Sequence, residues 1–182
     1  MKILKFKAIL LLATGMLVTQ SCTQKELNQK ELQVQKEWNN LQEQYKEYSK
    51  VISQIIMTTK GYVENNSEVL KELIHKRYLA EKVAVNAEVL TAEQIKSFEE
   101  AQNAMSQSLE KLLKQAESIE ELQKNARFIA LEEKIIDLQK EIPELQKAYN
   151  KAVMIYQLQR EKFPQNLFAN LFGYEDKGLF QE

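Results

Sequence analysis

From Phe128 to Tyr156 the chain returns to an apolar residue at every third or fourth position: Phe128, Leu131, Ile135, Leu138, Ile142, Leu145, Tyr149, Ala152 and Tyr156. Steps that alternate three and four put all of these on one stripe of an α-helix. About four heptads of such a stripe require a long helix that must hide one face. Pro143 falls inside the run. Its ring removes a backbone hydrogen bond and crowds the preceding turn, at a cost of ~3 kcal/mol in a free helix. The stripe crosses the proline in phase, so the expectation is a kink on that face and not a break, with the helix ending before Pro164.

The same rhythm recurs along the chain. Val34, Trp38, Leu41, Tyr45, Tyr48, Ile52 and Ile55 form a heptad seam on a first helix reaching to about Glu64. Asn65-Asn66-Ser67 supplies turn and N-cap chemistry, and a second stripe follows at Leu70, Leu73, Ile74, Tyr78 and Val83. Thr91-Ala92-Glu93-Gln94 is a capping box, with Thr91 at the N-cap, Gln94 at N3, and Leu90 and Ile95 as the hydrophobic staple. The third helix carries Ile95, Phe98, Met105, Leu109 and Leu112 and ends near Ser118, where Ser118-Ile119-Glu120-Glu121 is read as capping a short extra turn. Four glycines and two prolines in 182 residues leave few tight turns. Glycine-rich phosphate loops, hairpins and sandwiches are excluded. Each helix has one apolar stripe and one charged face, so none is stable alone. The expected fold is all-α: an elongated antiparallel helical bundle over residues 34–174, of four long helices and a short C-terminal helix, with 175–182 as a tail. An oligomeric coiled coil could use the same seams; four seams of comparable length joined by short loops favour the intramolecular bundle.

The N-terminus bears on location. Lys2, Lys5 and Lys7 make a cationic start, residues 8–18 read AILLLATGMLV, and Ser21 directly precedes Cys22, the one cysteine of the chain. This is the plan of a secretory signal peptide. Ala8 to Ser21 would span only roughly 21 Å as a helix, against ~30 Å of bilayer hydrocarbon. A lone thiol closes no internal disulfide. A small residue followed by cysteine at the end of an apolar run resembles a bacterial lipobox, with Thr19 where leucine is usual. The expectation is a lipoprotein signal over 1–21, fatty-acylation (palmitate class) of Cys22, and a polar tether over 22–33 continuing into helix one. The alternative is an uncleaved membrane-anchoring helix. Thr23-Gln24-Lys25-Glu26 resembles the charged export signals of some surface lipoproteins, and a plain tether would read the same way. Three of the 25 basic residues and none of the 26 acidic ones lie in 1–21, which leaves the mature chain at a net charge of −4. That balance argues against a nucleic-acid partner.

Catalytic and metal chemistry find little support. The single histidine, His75, sits beside Lys76 and Arg77 on an expected solvated face; Glu72 stands three residues before it, but bundle iron sites require a pair of such Glu-x-x-His elements and the chain holds one histidine. One histidine and one acylated cysteine do not make a zinc site. Acidic pairs such as Glu132-Glu133 alternate with lysines and read as helix-surface pairing. No catalytic, metal or cofactor-binding residue is expected. Gly61, costly inside a helix, is read as a close helix approach or an early helix end.

The C-terminal region carries the family information. Tyr149-Asn150, Ala152-Val153 and Tyr156, then Phe163-Pro164, Asn166-Leu167, Ala169, and Leu171-Phe172-Gly173-Tyr174, resemble the signature of the LemA family. Trp38 and Lys60-Gly61-Tyr62 are similar to the family's tryptophan and its Lys-Gly-Tyr element. The resemblance runs from Val34 to Tyr174. The chain departs from the family at Ser49-Lys50-Val51-Ile52-Ser53-Gln54 and at Gln157. The resemblance implies a membrane-anchored helical bundle outside the cytoplasm, with no enzymatic activity to carry over. Lipid on Cys22 would replace the usual anchoring helix.

Pro164 favours the first turn of a new helix. There Leu167, Phe168, Leu171 and Phe172 would share a face flanked by Phe163 and Tyr174. This patch either folds back to plug the bundle end or docks a partner or the membrane; Phe163 and Phe172 are contact residues in both cases. The expected function is a non-catalytic binding or scaffolding module at the cell envelope, with an envelope protein as partner, facing the periplasm or the exterior. An envelope hydrolase with carboxylate catalysis and a hydrophobic-ligand carrier are the alternatives.

Overall fold

The computed structural model describes residues 2–63, 67–162, 165–169 and 171–181, with the side chains of 2–23, Gln165 and Phe168 outside the description. Glu64, Asn65, Asn66, Phe163 and Pro164 therefore lie outside the described residues. Six helices follow one another: α1 (Lys2–Thr59), α2 (Glu68–Lys82), α3 (Ala92–Ala116), α4 (Glu120–Gln123), α5 (Ala126–Arg160) and α6 (Gln165–Ala169). Among the described residues there is no strand. Nor, among them, is any helix long and apolar enough to cross a membrane.

The expected starts form. Thr91 Oγ1 accepts from Gln94 N at 3.2 Å while Gln94 Oε1 accepts from Thr91 N at 3.3 Å, closing the capping box. Leu90 and Ile95 are buried beside it. Ser67 caps α2 through Leu70 N at 3.5 Å. Asn125 caps α5, its Oδ1 accepting from Arg127 N and Phe128 N. The short turn α4 also forms, but Ser118 does not cap it. Its hydroxyl donates back to the Gln115 carbonyl at 2.8 Å, and Ile119 holds the cap position without a side-chain bond.

The bundle is built from two antiparallel pairs. α1 and α5 run along each other, joined by Gln44–Glu141 at 2.9 Å, Tyr45–Gln146 at 2.9 Å and Glu26–Gln159 at 3.1 Å. α2 and α3 are joined through Glu72, which takes Lys111 at 2.9 Å and Ser108 at 3.2 Å. α3 closes on the first pair through aromatic edges: Phe98 meets Trp38 at 5.2 Å and Tyr45 at 5.0 Å between ring centroids. The stripes of α1, α3 and α5 are buried as their spacing predicts, except that Leu145 is only partly covered.

Several boundaries differ from expectation. α1 stops at Thr59, short of Glu64, because Thr58 and Thr59 turn their hydroxyls onto the Gln54 and Ile55 carbonyls and Lys60–Val63 form a turn. Gly61 lies in that turn with nothing within 4 Å of an added Cβ, so it marks the helix end and not a close approach. The stretch 22–33 is helix throughout, with Leu27 buried, and is no tether. On α2 only Leu70, Leu73 and Ala80 are buried; Ile74 and Tyr78 face outward, because a helix packed mainly against one neighbour buries a narrow stripe. Pro143 lies on the exposed side of a continuous α5, where water can reach the carbonyl it leaves unpaired.

The largest correction is at the C-terminus. Residues 175–182 are no tail: 174–180 form an extended strap in the angle between α1, α3 and α5, ending with Phe180 in the core. Phe180 stacks on Trp38 at 6.3 Å and meets Tyr149 edge-on at 5.5 Å. The strap takes the place α2 leaves empty, since α2 reaches only the level of Ser49 on α1.

Candidate functional site

Backbone groups of the strap are held by side chains of α5. Tyr156 donates to the Glu175 carbonyl at 2.9 Å, Gln157 to Lys177 at 3.0 Å, and Tyr149 to Gly178 at 3.0 Å. Asn150 brackets Phe180, donating to its carbonyl at 3.0 Å and accepting from its N–H at 2.9 Å. Four of the residues that carry the family resemblance or depart from it thus serve one purpose, binding an edge of backbone that has no sheet to join. Gln157, the departure, still donates to the strap. On the other side Gly178 N donates to Leu90 O at 2.7 Å. Leu90 adopts a positive φ of 51° to present that carbonyl. Lys177 is buried, donating to the Glu88 carbonyl at 2.7 Å, paired with Glu31 at 2.8 Å and lying 5.7 Å from the Tyr156 ring.

The residues singled out from the sequence fall on the opposite sides of this strap's starting point. Tyr174 and Ala169 are buried, and Tyr174 N closes the turn onto Ala169 O at 2.9 Å. Leu167, Leu171 and Phe172 are exposed. Tyr174 therefore packs into the bundle end, whereas those three face outward. Phe163 lies outside the described residues, as do the side chains of Phe168 and Cys22. Cys22 itself belongs to α1, just before the stretch that packs on α5. His75 is exposed on α2.

A second feature has no signature in the sequence. Where α2 ends and the strap has not yet begun to cover α1, a groove of about 480 Å³ opens between α1, α2 and α3. Phe98, Met105 and Val83 form its apolar wall; Lys46, Lys50, Ser49 and Arg77 give it a polar, cationic rim. Ser49 donates to Glu81 at 2.7 Å, and Arg77 pairs with the same carboxylate. Arg77 Nε and Gln102 Oε1 are buried without a hydrogen-bond partner, so this groove concentrates unmet polar demand. Glu81 is the one carboxylate lining it.

Titratable groups are otherwise tied to the fold. The Lys134 and Lys50 ammonium groups hold Glu47 below the usual carboxylate range, and Lys111 does the same for Glu72. Burial, with Glu117 nearby, raises Glu132, which lies on α5 outside the groove. Burial also pushes the phenols of Tyr45, Tyr149 and Tyr156 far up. Among the described residues no group of three or more His, Cys, Asp or Glu side chains is placed to hold a metal ion.

The model of the LemA family matches residues 37–182. The match covers most of the chain and runs past Tyr174 to the last residue, taking in the strap. No curated protein matches the chain.

Proposed function

Because the chain belongs to the LemA family, we propose that it acts as a lipid-anchored, extracytoplasmic binding or scaffolding module of the cell envelope, without catalytic chemistry of its own. The observation that carries this reading is the N-terminus: three lysines, an eleven-residue apolar run and Ser21-Cys22, followed at once by the amphipathic part of α1. Two or more acyl chains on one cysteine hold a protein stably where a single chain does not. In an envelope with two membranes the outer one is the proposed site. The partner is an envelope protein, and neither nucleic acid nor cofactor enters the scheme.

The groove supports binding over catalysis. Its one carboxylate, Glu81, is already engaged by Arg77 and Ser49, and the burial-raised Glu132 stands elsewhere. The groove also favours a second reading, capture of a small amphipathic ligand against Phe98 and Met105. Native mass spectrometry of the chain extracted from membranes tests that reading by the presence or absence of a co-purifying mass.

In-cell cross-linking with mass-spectrometric identification tests the main reading. The wild-type chain is expected to capture a defined envelope protein that Cys22→Ser fails to capture. Equal capture by both, or capture of cytoplasmic proteins by the wild type, would contradict it.

A further inference from the structure

The end of the bundle nearest Cys22 carries a conspicuous apolar surface. Leu171 is 76% exposed, Leu167 62% and Phe172 52%. Residues 163–174 contain no charged residue, the longest such run after Gln24 in a chain that is 28% charged. Exposed leucines flanked by aromatics and free of charge mark a surface that is covered in use.

The register of α1 against α5 says what lies opposite. Going down α1 from Glu47 to Gln44 to Glu26, the partners on α5 advance from Lys134 to Glu141 to Gln159. Antiparallel helices of equal rise exchange residues one for one. Continued by one turn, Lys162 comes level with Cys22 and Thr23. α6 then packs against both α5 and α1. At the far side of the turn, Arg160 Nε donates to the Tyr174 carbonyl at 2.8 Å, which ties Tyr174 to the last turn of α5. Leu167, Leu171 and Phe172 are therefore held at the depth of Cys22, to within about two helical turns, or ~10 Å. No linker loosens this relation, because α1 is helical through Cys22 and Leu27 is buried.

We propose that Leu167, Leu171 and Phe172 form a membrane-docking face. They enter the interfacial layer of the bilayer that holds the N-terminus and seat the base of the bundle on lipid. An apolar face of Leu and Phe suits that layer, where such side chains bury against the acyl chains and aromatic rings are favoured. Side chains of this kind settle about 5–10 Å into the boundary between headgroups and acyl chains. The proposal rests on the anchoring reading above but not on its form. An acylated Cys22 and a retained helix over 8–18 bring the same residues to the same depth.

The test uses the full chain, purified from membranes and reconstituted into phosphatidylcholine vesicles bearing a nitroxide high on the acyl chain. Leu171→Cys and, as a control beyond the middle of α1, Met57→Cys are labelled with an environment-sensitive fluorophore. Met57 is 67% exposed and far along α1 from Cys22. The unsubstituted chain, labelled in parallel, gives any contribution of Cys22 itself. The Leu171 label is expected to shift to the blue and be quenched by the nitroxide, and the Met57 label to remain aqueous. Adding Leu167→Asp should abolish the quenching while the chain still floats with the vesicles. An anchored chain whose Leu171 label stays aqueous overturns the docking and leaves the anchoring intact. A shielded but unquenched label overturns it in favour of a protein partner or a second copy. A chain that does not float with vesicles overturns both readings.

Discussion

At the scale of single residues the strap decides most of the energetics. Among the described residues Lys177 is the only charged side chain fully inside the fold, and it reaches Glu31, the Glu88 carbonyl and the Tyr156 ring together. Lys177→Ala strands a nearly buried carboxylate, so it should cost about 3–5 kcal/mol in urea unfolding; a loss under ~1 kcal/mol would mean the pair is wet. Gly178 of the strap and Gly61 of the turn after α1 separate cleanly. An added Cβ at Gly178 would stand 2.6 Å from Ala92 Cα, so Gly178→Ala should destabilise by about 1–3 kcal/mol. Gly61 has open space and no left-handed backbone, so Gly61→Ala should stabilise by ~0.4–1 kcal/mol, read in the same titration. The buried phenols give a pH dependence of definite sign. Burial raises Tyr45, Tyr149 and Tyr156 in the folded chain, while the unfolded chain ionises near pH ~10. The folded state thus holds protons that the unfolded state has released. Stability from these groups is full below about pH 10 and falls as pH rises above it. The urea midpoint should drop through that range, and phenolate absorbance from the buried tyrosines should rise only as the chain unfolds.

At the scale of elements, the strap does what a helix would do elsewhere. Phe180→Ala should cost about 3–5 kcal/mol, as for other fully packed aromatics, and denaturant unfolding measures it. Pro143 tests the opposite case. It is exposed within a continuous helix, so Pro143→Ala should stabilise, by up to ~3 kcal/mol, without moving the core. These elements also show what could be read from the sequence. The stripes of α1, α3 and α5 were legible because their apolar residues converge on one shared core, where Trp38, Tyr45, Phe98 and Tyr149 meet, so the three-four rhythm is kept along each helix. The Thr91–Gln94 box was legible because its chemistry is local. Ile74 and Tyr78 were misread because α2 has one main neighbour and needs only a narrow stripe. The strap was illegible for a different reason. Glu175-Asp176-Lys177-Gly178-Leu179-Phe180 has no period at all, since its backbone is satisfied one group at a time by Tyr149, Asn150, Tyr156 and Gln157. The groove was hidden as well. It exists only because α2 and the strap stop short of each other, which is a fact of length and not of motif.

At the scale of the molecule, α1 is the spine: it bears the proposed anchor, faces α5 from Glu26 onward and contributes Trp38, Tyr45 and Ser49 to core and groove. A rigid spine would make the proposed anchor an orienting device as well as a tether. It sets the apolar turn at the base and lifts the groove to the level of Ser49, which is 27 residues and, at helical rise, about 40 Å from Cys22. A partner bound there would be met at a fixed height above the bilayer. That the anchor is lipid turns on the state of Cys22. Intact-mass analysis of the chain extracted from cell membranes, after feeding a tagged fatty acid, reads that state directly. A mature chain that begins at Cys22 and carries acyl chains is the expected result, with Cys22→Ser untagged. A chain that keeps residues 1–21 and an unmodified Cys22 thiol would contradict it.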